Sequence, residues 1–330
     1  MTDIFGTLGP ACNDKEVLSG MFKAGMTGIR INLSHVMLSE CEDSIRLIHQ
    51  AAKENAVEPK ILIDMQGPEL RLGRFDKEYE LDPGDIIIIG DVMGKTGIPV
   101  DRAVIDNMKI GDEVLIDDGK ILGEVVSTEE NSAKLVISRG GLLTQRKSIA
   151  ITGKNIQLPA ITEDDRINLS HAKELGITGI MQPFVRSRED LIELRKVLDE
   201  RGCGNLRIYA KIENKLGVEN IESFIDLCDE VIIARGDLGN SMPLWELPCV
   251  QKKLSKICNE HNKPFMVVTQ MLASMEKSEV PTRAEVSDIY NAVLDGAASL
   301  MVTGETAIGV NPVEVIKYLH NTANIAHCDL

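Results

Sequence analysis

"IYAKIENKLGVEN", residues 208 to 220, reads as a short apolar strand that turns directly into a helix. Successive side chains of a strand alternate between its two faces, so Lys211 and Glu213, two positions apart, fall on the same side. An ammonium and a carboxylate together at the end of an apolar strand suit a functional site better than a core. What they do depends on the fold that this strand and helix belong to.

Outward from this stretch the same alternation recurs. Apolar, β-rich runs stand at 4–9, 28–33, 60–65, 179–184, 207–212, 231–234, 265–269 and 299–303. Helix-like segments follow them at 13–24, 38–55, 162–174, 187–201, 217–228, 246–261, 282–295 and 312–326. Asn13 and Thr162 stand in capping positions, and Pro312 suits a first helical turn. Eight strand and helix units in roughly 250 residues predict an α/β fold of the (β/α)8 TIM barrel type. The stretch 74–152 breaks the pattern, with short β runs, many turn signals and no long helix. It reads as a small β-barrel domain inserted after the third strand, acting as a lid. The barrel domain then comprises 1–73 and 153–330.

Composition narrows the function. A net charge of -15 over 330 residues argues against binding to nucleic acid or an anionic membrane, both of which need a basic face. No apolar run approaches the ~20 residues of a membrane span, and the N-terminus lacks a signal-peptide pattern. The chain reads as cytoplasmic. Seven dispersed cysteines and six scattered histidines show no metal-ligand spacing. The thirteen methionines read as core filler, and Trp245 as packing beneath a helix start.

If the fold is a barrel, polar residues unsuited to a core should fall at the C-terminal ends of strands, where such enzymes build their sites. They do. Arg30, Asn32 and Ser34 alternate with Ile29, Ile31 and Leu33; the third strand ends in Asp64, with Glu69 and Arg71 close behind. The fifth carries Lys211 and Glu213, the sixth ends in Gly236 and Asp237, and the seventh ends at Thr269. Turn amides at Gly236 and Asp237 can hold an anion. Glu213 and Asp237 match a hard divalent cation, Mg2+ or Mn2+, that keeps waters and takes oxygen from substrate. Lys211 and Arg30 supply the positive charge that a transferring phosphoryl group needs.

At these residues the sequence resembles the pyruvate kinase family over nearly its whole length. The segments "TLGPAC", "GIRINLSH", "IDMQGPELR", "LPAITEDD", "FVRSRED", "KIEN", "ARGDLG", "TQMLASM", "PTRAEVSDIYNAVLDGA" and "TGETAIG" stand in the family's order. The resemblance implies phosphoryl transfer from phosphoenolpyruvate to ADP, giving pyruvate and ATP. It implies that Lys211 stabilises the moving phosphoryl group and that Glu213 and Asp237 ligate Mg2+. The amides of Gly236 and Asp237, with Thr269, would hold the substrate carboxylate, and Thr269 would lie near proton delivery to the enolate. Arg30 and Arg71 would meet phosphoryl oxygens, and Thr7, Pro10, His35 and Lys154 would complete the nucleotide side. Asn32, Ser34, Asp64 and the Met65 carbonyl resemble the family's K+ site, with Glu69 implying K+ dependence. A homo-oligomer through the barrel is consistent with the resemblance, whereas the family's C-terminal domain has no counterpart.

This chain departs from the family at Ile308 and Gly153, where a lysine is usual, and at Val36 in place of glycine. The first two weaken the nucleotide half. They leave two alternatives: a pathway-specific enolpyruvate-handling enzyme with reduced nucleotide use, and a non-catalytic ligand-binding homologue.

Overall fold

All eight expected runs become strands: Asp3–Thr7, Gly28–Asn32, Lys60–Asp64, Gly179–Gln182, Arg207–Ile212, Glu230–Ala234, Phe265–Val268 and Ser299–Met301. Neighbours pair in parallel in that order, and the eighth closes on the first. These strands and all else described here come from a computed structural model that describes residues 2–34, 36–68, 70–90, 97–117, 119–154, 156 and 158–328. The main helices between the strands are Lys15–Lys23, Glu42–Glu54, Glu163–His171, Arg188–Glu200, Lys215–Phe224, Leu247–Glu260, Arg283–Leu294 and Pro312–His327. The chain therefore forms a (β/α)8 barrel.

Most of these helices turn an apolar stripe inward. In Arg188–Glu200, Leu191, Leu194, Val197 and Leu198 are buried, at the three- and four-residue spacing that keeps one face toward the strands. Capping departs once from expectation. Asp14, and not Asn13, accepts the amides of Glu16 and Val17 at the first helix, because the helix starts later than its apolar periodicity suggests. Thr162 caps its helix through a reciprocal pair with Asp165.

Strand alternation sorts the core into two parts. Ile29, Ile31, Ile61, Ile63, Ile208, Ala210 and Ile212 point out into the layer shared with the helices. Phe5, Leu62, Met181, Tyr209, Ile232 and Met266 fill the barrel interior. On the inward face, Lys211 follows Tyr209 by two positions, and Asp64 follows Leu62 by two. Period two thus stacks a polar layer on an apolar plug at the C-terminal end of the ring.

Residues 68–159 form a second compact unit, wider at both ends than the stretch 74–152. Its described residues hold a six-stranded sheet and a two-stranded ribbon. Its strands Ile121–Thr128 and Ser132–Arg139 bury alternate residues, Val125, Leu135 and Ile137 among them. One short helix, Arg102–Asn107, interrupts the strands.

Two more short helices were not legible in the sequence: Arg235–Ser241 after the sixth barrel strand and Gly304–Ala307 after the eighth. At seven and four residues they are too short to show a helical period. Trp245 corrects an expectation: it is 83% exposed, on the short connection that leads into Leu247–Glu260. Among the described residues no helix is long and apolar enough to cross a membrane.

Candidate active site

The two charges of the opening stretch meet directly. Lys211 Nζ lies 2.9 Å from Glu213 Oε1 and 3.1 Å from both Asp64 oxygens. Asp64 Oδ2 also accepts Arg30 Nε at 2.8 Å and lies 2.7 Å from Arg30 Nη2. Arg30 Nη1 donates to Thr7 Oγ1 at 3.4 Å. Four strand ends, the first, second, third and fifth, therefore converge on one ion cluster at the barrel mouth.

Burial makes this cluster electrostatically strong. The Asp64 and Glu213 side chains are 4% and 2% exposed. Burial would push the Asp64 carboxyl up, but Lys211 and Arg30 outweigh it and hold the carboxyl below its usual range. Burial would likewise favour neutral Lys211, yet Asp64 and Glu213 push its ammonium well above the ordinary lysine range. Glu213 goes the other way. Burial, with repulsion from Asp237 and Asp64, exceeds the attraction of Lys211 and pushes its carboxyl up to about 7. Glu213 Oε2 is also held by the amide of Phe184 at 2.9 Å.

Lys211 and Arg30 thus meet the carboxyl groups of Asp64 and Glu213, and a third carboxyl, that of Asp237, lies near enough to repel Glu213. The donors are hard oxygens and the imbalance is negative, so the residues fit a divalent cation. Among the described residues, no group of three or more His, Cys, Asp or Glu is arranged to hold a metal. Glu213 and Asp237 would therefore be the protein's carboxylate share, and water or substrate oxygen would complete the shell. The K+ set is also all oxygen. Asn32 and Asp64 are register partners across the second and third strands. Asn32 Oδ1 accepts the Ser34 amide at 3.1 Å. Met65 follows Asp64 directly, its amide bonded to the Met181 carbonyl at 3.2 Å.

At the sixth and seventh strand ends, Gly236 abuts Thr269. A Cβ added to Gly236 would stand 3.1 Å from Thr269 Cγ2, so the chain approaches closely there. Thr269 has φ +81 and Gln270 φ +54, a left-handed pair that is unusual for a β-branched residue. Arg235 donates to the Thr269 carbonyl through Nε at 3.1 Å and Nη2 at 2.7 Å.

Pro10 is exposed in the loop after the first strand, where Gly9 packs against Ala307. Arg71 and Lys154 lie in the second unit: Arg71 Nη1 donates to the Arg146 carbonyl at 2.8 Å, and Lys154 pairs with Asp112 and the Asn107 carbonyl. His35 and Glu69 lie outside the described residues. Ile308 is exposed just after the helix Gly304–Ala307.

Sequence reasoning missed two residues behind the site. Arg235 stands between an apolar strand and the Gly236–Asp237 turn, where a charge at a strand end is a usable signal. Asp165 shows in the sequence only as the residue three beyond the capping Thr162. Its buried carboxylate also accepts the amides of Gln66 at 2.8 Å and Gly67 at 3.0 Å, fixing the chain just beyond Asp64. No local pattern announces a contact across 99 residues.

The sequence matches the family model described as "Pyruvate kinase, barrel domain" over residues 1–316. It is 37% identical over 331 residues to a pyruvate kinase of Bacillus licheniformis and 38% identical over 330 residues to that of Geobacillus stearothermophilus. Each alignment covers 98% of this chain and 56% of the relative. A pyruvate kinase of Chlamydia pneumoniae is 37% identical over 325 residues, 97% of this chain and 67% of that protein. The chain thus spans little more than half the length of the first two relatives.

Proposed function

The chain belongs to the pyruvate kinase family through its barrel domain, and from that premise we propose that it transfers the phosphoryl group of phosphoenolpyruvate to ADP. In this reaction the bond between phosphorus and the enol oxygen breaks, and a bond from phosphorus to a terminal ADP oxygen forms. The enolate left behind takes a proton at its terminal carbon and becomes pyruvate. The observation that carries the reading is the buried contact of Lys211 with Asp64 and Glu213 at the barrel mouth.

Lys211 stays charged and faces the phosphoryl group, where its ammonium counters the negative charge that spreads over the equatorial oxygens in the transition state. Arg30, fixed in direction by Asp64 and Thr7, meets phosphoryl oxygens from a second side. The amides of Gly236 and Asp237, with Thr269, hold the substrate carboxylate. Thr7, Pro10, His35, Arg71 and Lys154 form the nucleotide side. When bound through Glu213 and Asp237, Mg2+ or Mn2+ supplies Lewis-acid polarisation and a template for the two substrates. K+ held by Asn32, Ser34, Asp64 and the Met65 carbonyl supplies further positive charge. The inserted domain, read as 74–152, acts as a lid that excludes water. The same reading places the chain in the cytosol, with a homo-oligomer formed through the barrel.

A second reading rests on Ile308 and Gly153, positions that bring no cation to the nucleotide half. On that reading the chain is an enolpyruvate-handling enzyme with reduced nucleotide use. A coupled assay for pyruvate, with ADP, Mg2+ and K+ omitted in turn, separates the two. Pyruvate formation that needs all three agrees with the proposal. Pyruvate formation indifferent to ADP overturns it in favour of the second reading, and binding without turnover overturns both.

A further inference from the structure

Thr269 and Gln270 hold consecutive left-handed backbone angles, and such a conformation persists only where its surroundings over-determine it. Thr269 is the one β-branched residue among the non-glycine residues described with positive φ. One restraint is the Arg235 guanidinium. Nε and Nη2 of Arg235 both reach the Thr269 carbonyl, at 3.1 and 2.7 Å. Its Nη1 spans both oxygens of Asp288, at 2.9 and 2.7 Å, from the helix Arg283–Leu294. Nη2 also contacts Met271 Sδ at 2.9 Å. A planar fork bound on two edges fixes the direction of the peptide it grips, which a point charge would not do. Because Arg235 immediately precedes Gly236, the grip also keeps the sixth strand end against the Thr269 side chain.

We propose that Arg235, oriented by Asp288, is a positioning residue that aims the Thr269 hydroxyl at the enolate carbon and so governs proton delivery, leaving phosphoryl transfer to the Lys211 side. The proposal rests on the functional reading above. In the governed step the enolate's electron pair forms a new C–H bond. The proton comes from the Thr269 hydroxyl or from a water it holds, and solvent replaces it.

The test uses the full chain with Arg235→Lys, Asp288→Asn, Thr269→Ala and the double variant Arg235→Lys with Thr269→Ala. Two signals are read: single-turnover ATP formation from phosphoenolpyruvate and ADP, and deuterium exchange into the pyruvate methyl group with ATP and Mg2+ present. The expected result for Arg235→Lys is a 10- to 100-fold loss of exchange, with ATP formation within about threefold of wild type. The double variant should be no worse than Thr269→Ala alone, because residues that act through one another do not add. Full exchange in Arg235→Lys, equal losses of both signals, or losses that multiply in the double variant would each overturn the proposal. If Arg235→Lys does not fold, Asp288→Asn carries the same comparison, since it frees the fork without removing it. Wild-type chain that forms neither ATP nor pyruvate would instead sink the functional reading on which the proposal stands.

Discussion

Glu213→Gln should make the metal-free protein more stable at pH 8 while reducing its activity severely. The Glu213 carboxyl rises from 4.5 to about 7 in the folded chain, chiefly through burial, then through Asp237 and Asp64 against the pull of Lys211. A folded value above the unfolded one means that the folded state binds the proton more tightly. Stability is then unpenalised below the unfolded value and declines as pH rises through the folded value. At about 1.4 kcal/mol per unit, the penalty approaches about 3 kcal/mol well above pH 7. Glutamine removes the charge but offers only one oxygen to share between Lys211 and the Phe184 amide. The gain expected at pH 8 is therefore about 1–3 kcal/mol, shrinking toward zero near pH 5. Urea unfolding in a chelating buffer at pH 5, 6, 7 and 8 measures it. Mg2+ should then stabilise wild type by an amount that rises with the logarithm of its concentration once that exceeds the Kd, and leave the variant nearly unchanged. A variant less stable than wild type at pH 8, or a difference that does not change with pH, would refute the account of Glu213 as a strained carboxylate awaiting a cation.

Lys211→Met should lower kcat about 10²- to 10³-fold with the KM for phosphoenolpyruvate within about threefold, because its charge acts mainly on the transition state; equal losses in both would contradict that role. Asp165→Ala should cost about 2–4 kcal/mol in urea unfolding, since it strands the amides of Gln66, Gly67 and Thr162 together with the Thr162 hydroxyl; a loss below 0.5 kcal/mol would show that the loop holds itself. Gly236→Ala should reduce turnover at least tenfold by pressing on Thr269, and steady-state kinetics beside an unfolding curve would show whether stability stays within about 1 kcal/mol. Trp245 is the only tryptophan in the chain, so intrinsic fluorescence should peak near the solvent-exposed wavelength, and Trp245→Phe should change stability by less than about 0.5 kcal/mol.

The sequence by itself determined the ring of strands and the inward face that carries the site. Period-two alternation is a property of the backbone, so it placed Arg30, Asp64 and Lys211 inward, and the order of strands and helices required a barrel to close around them. Local patterns could not say which charge pairs with which. Asp64 was read with the K+ donors, yet its carboxylate grips Lys211 across 147 positions and Arg30 across 34. The partners of Asp165 and Arg235 lay equally out of reach, as did the exposure of Trp245. Those outcomes depend on how neighbouring strand ends meet once the ring is closed and water is excluded. Only there does low polarity turn scattered charges into one cluster with a fixed division of protons.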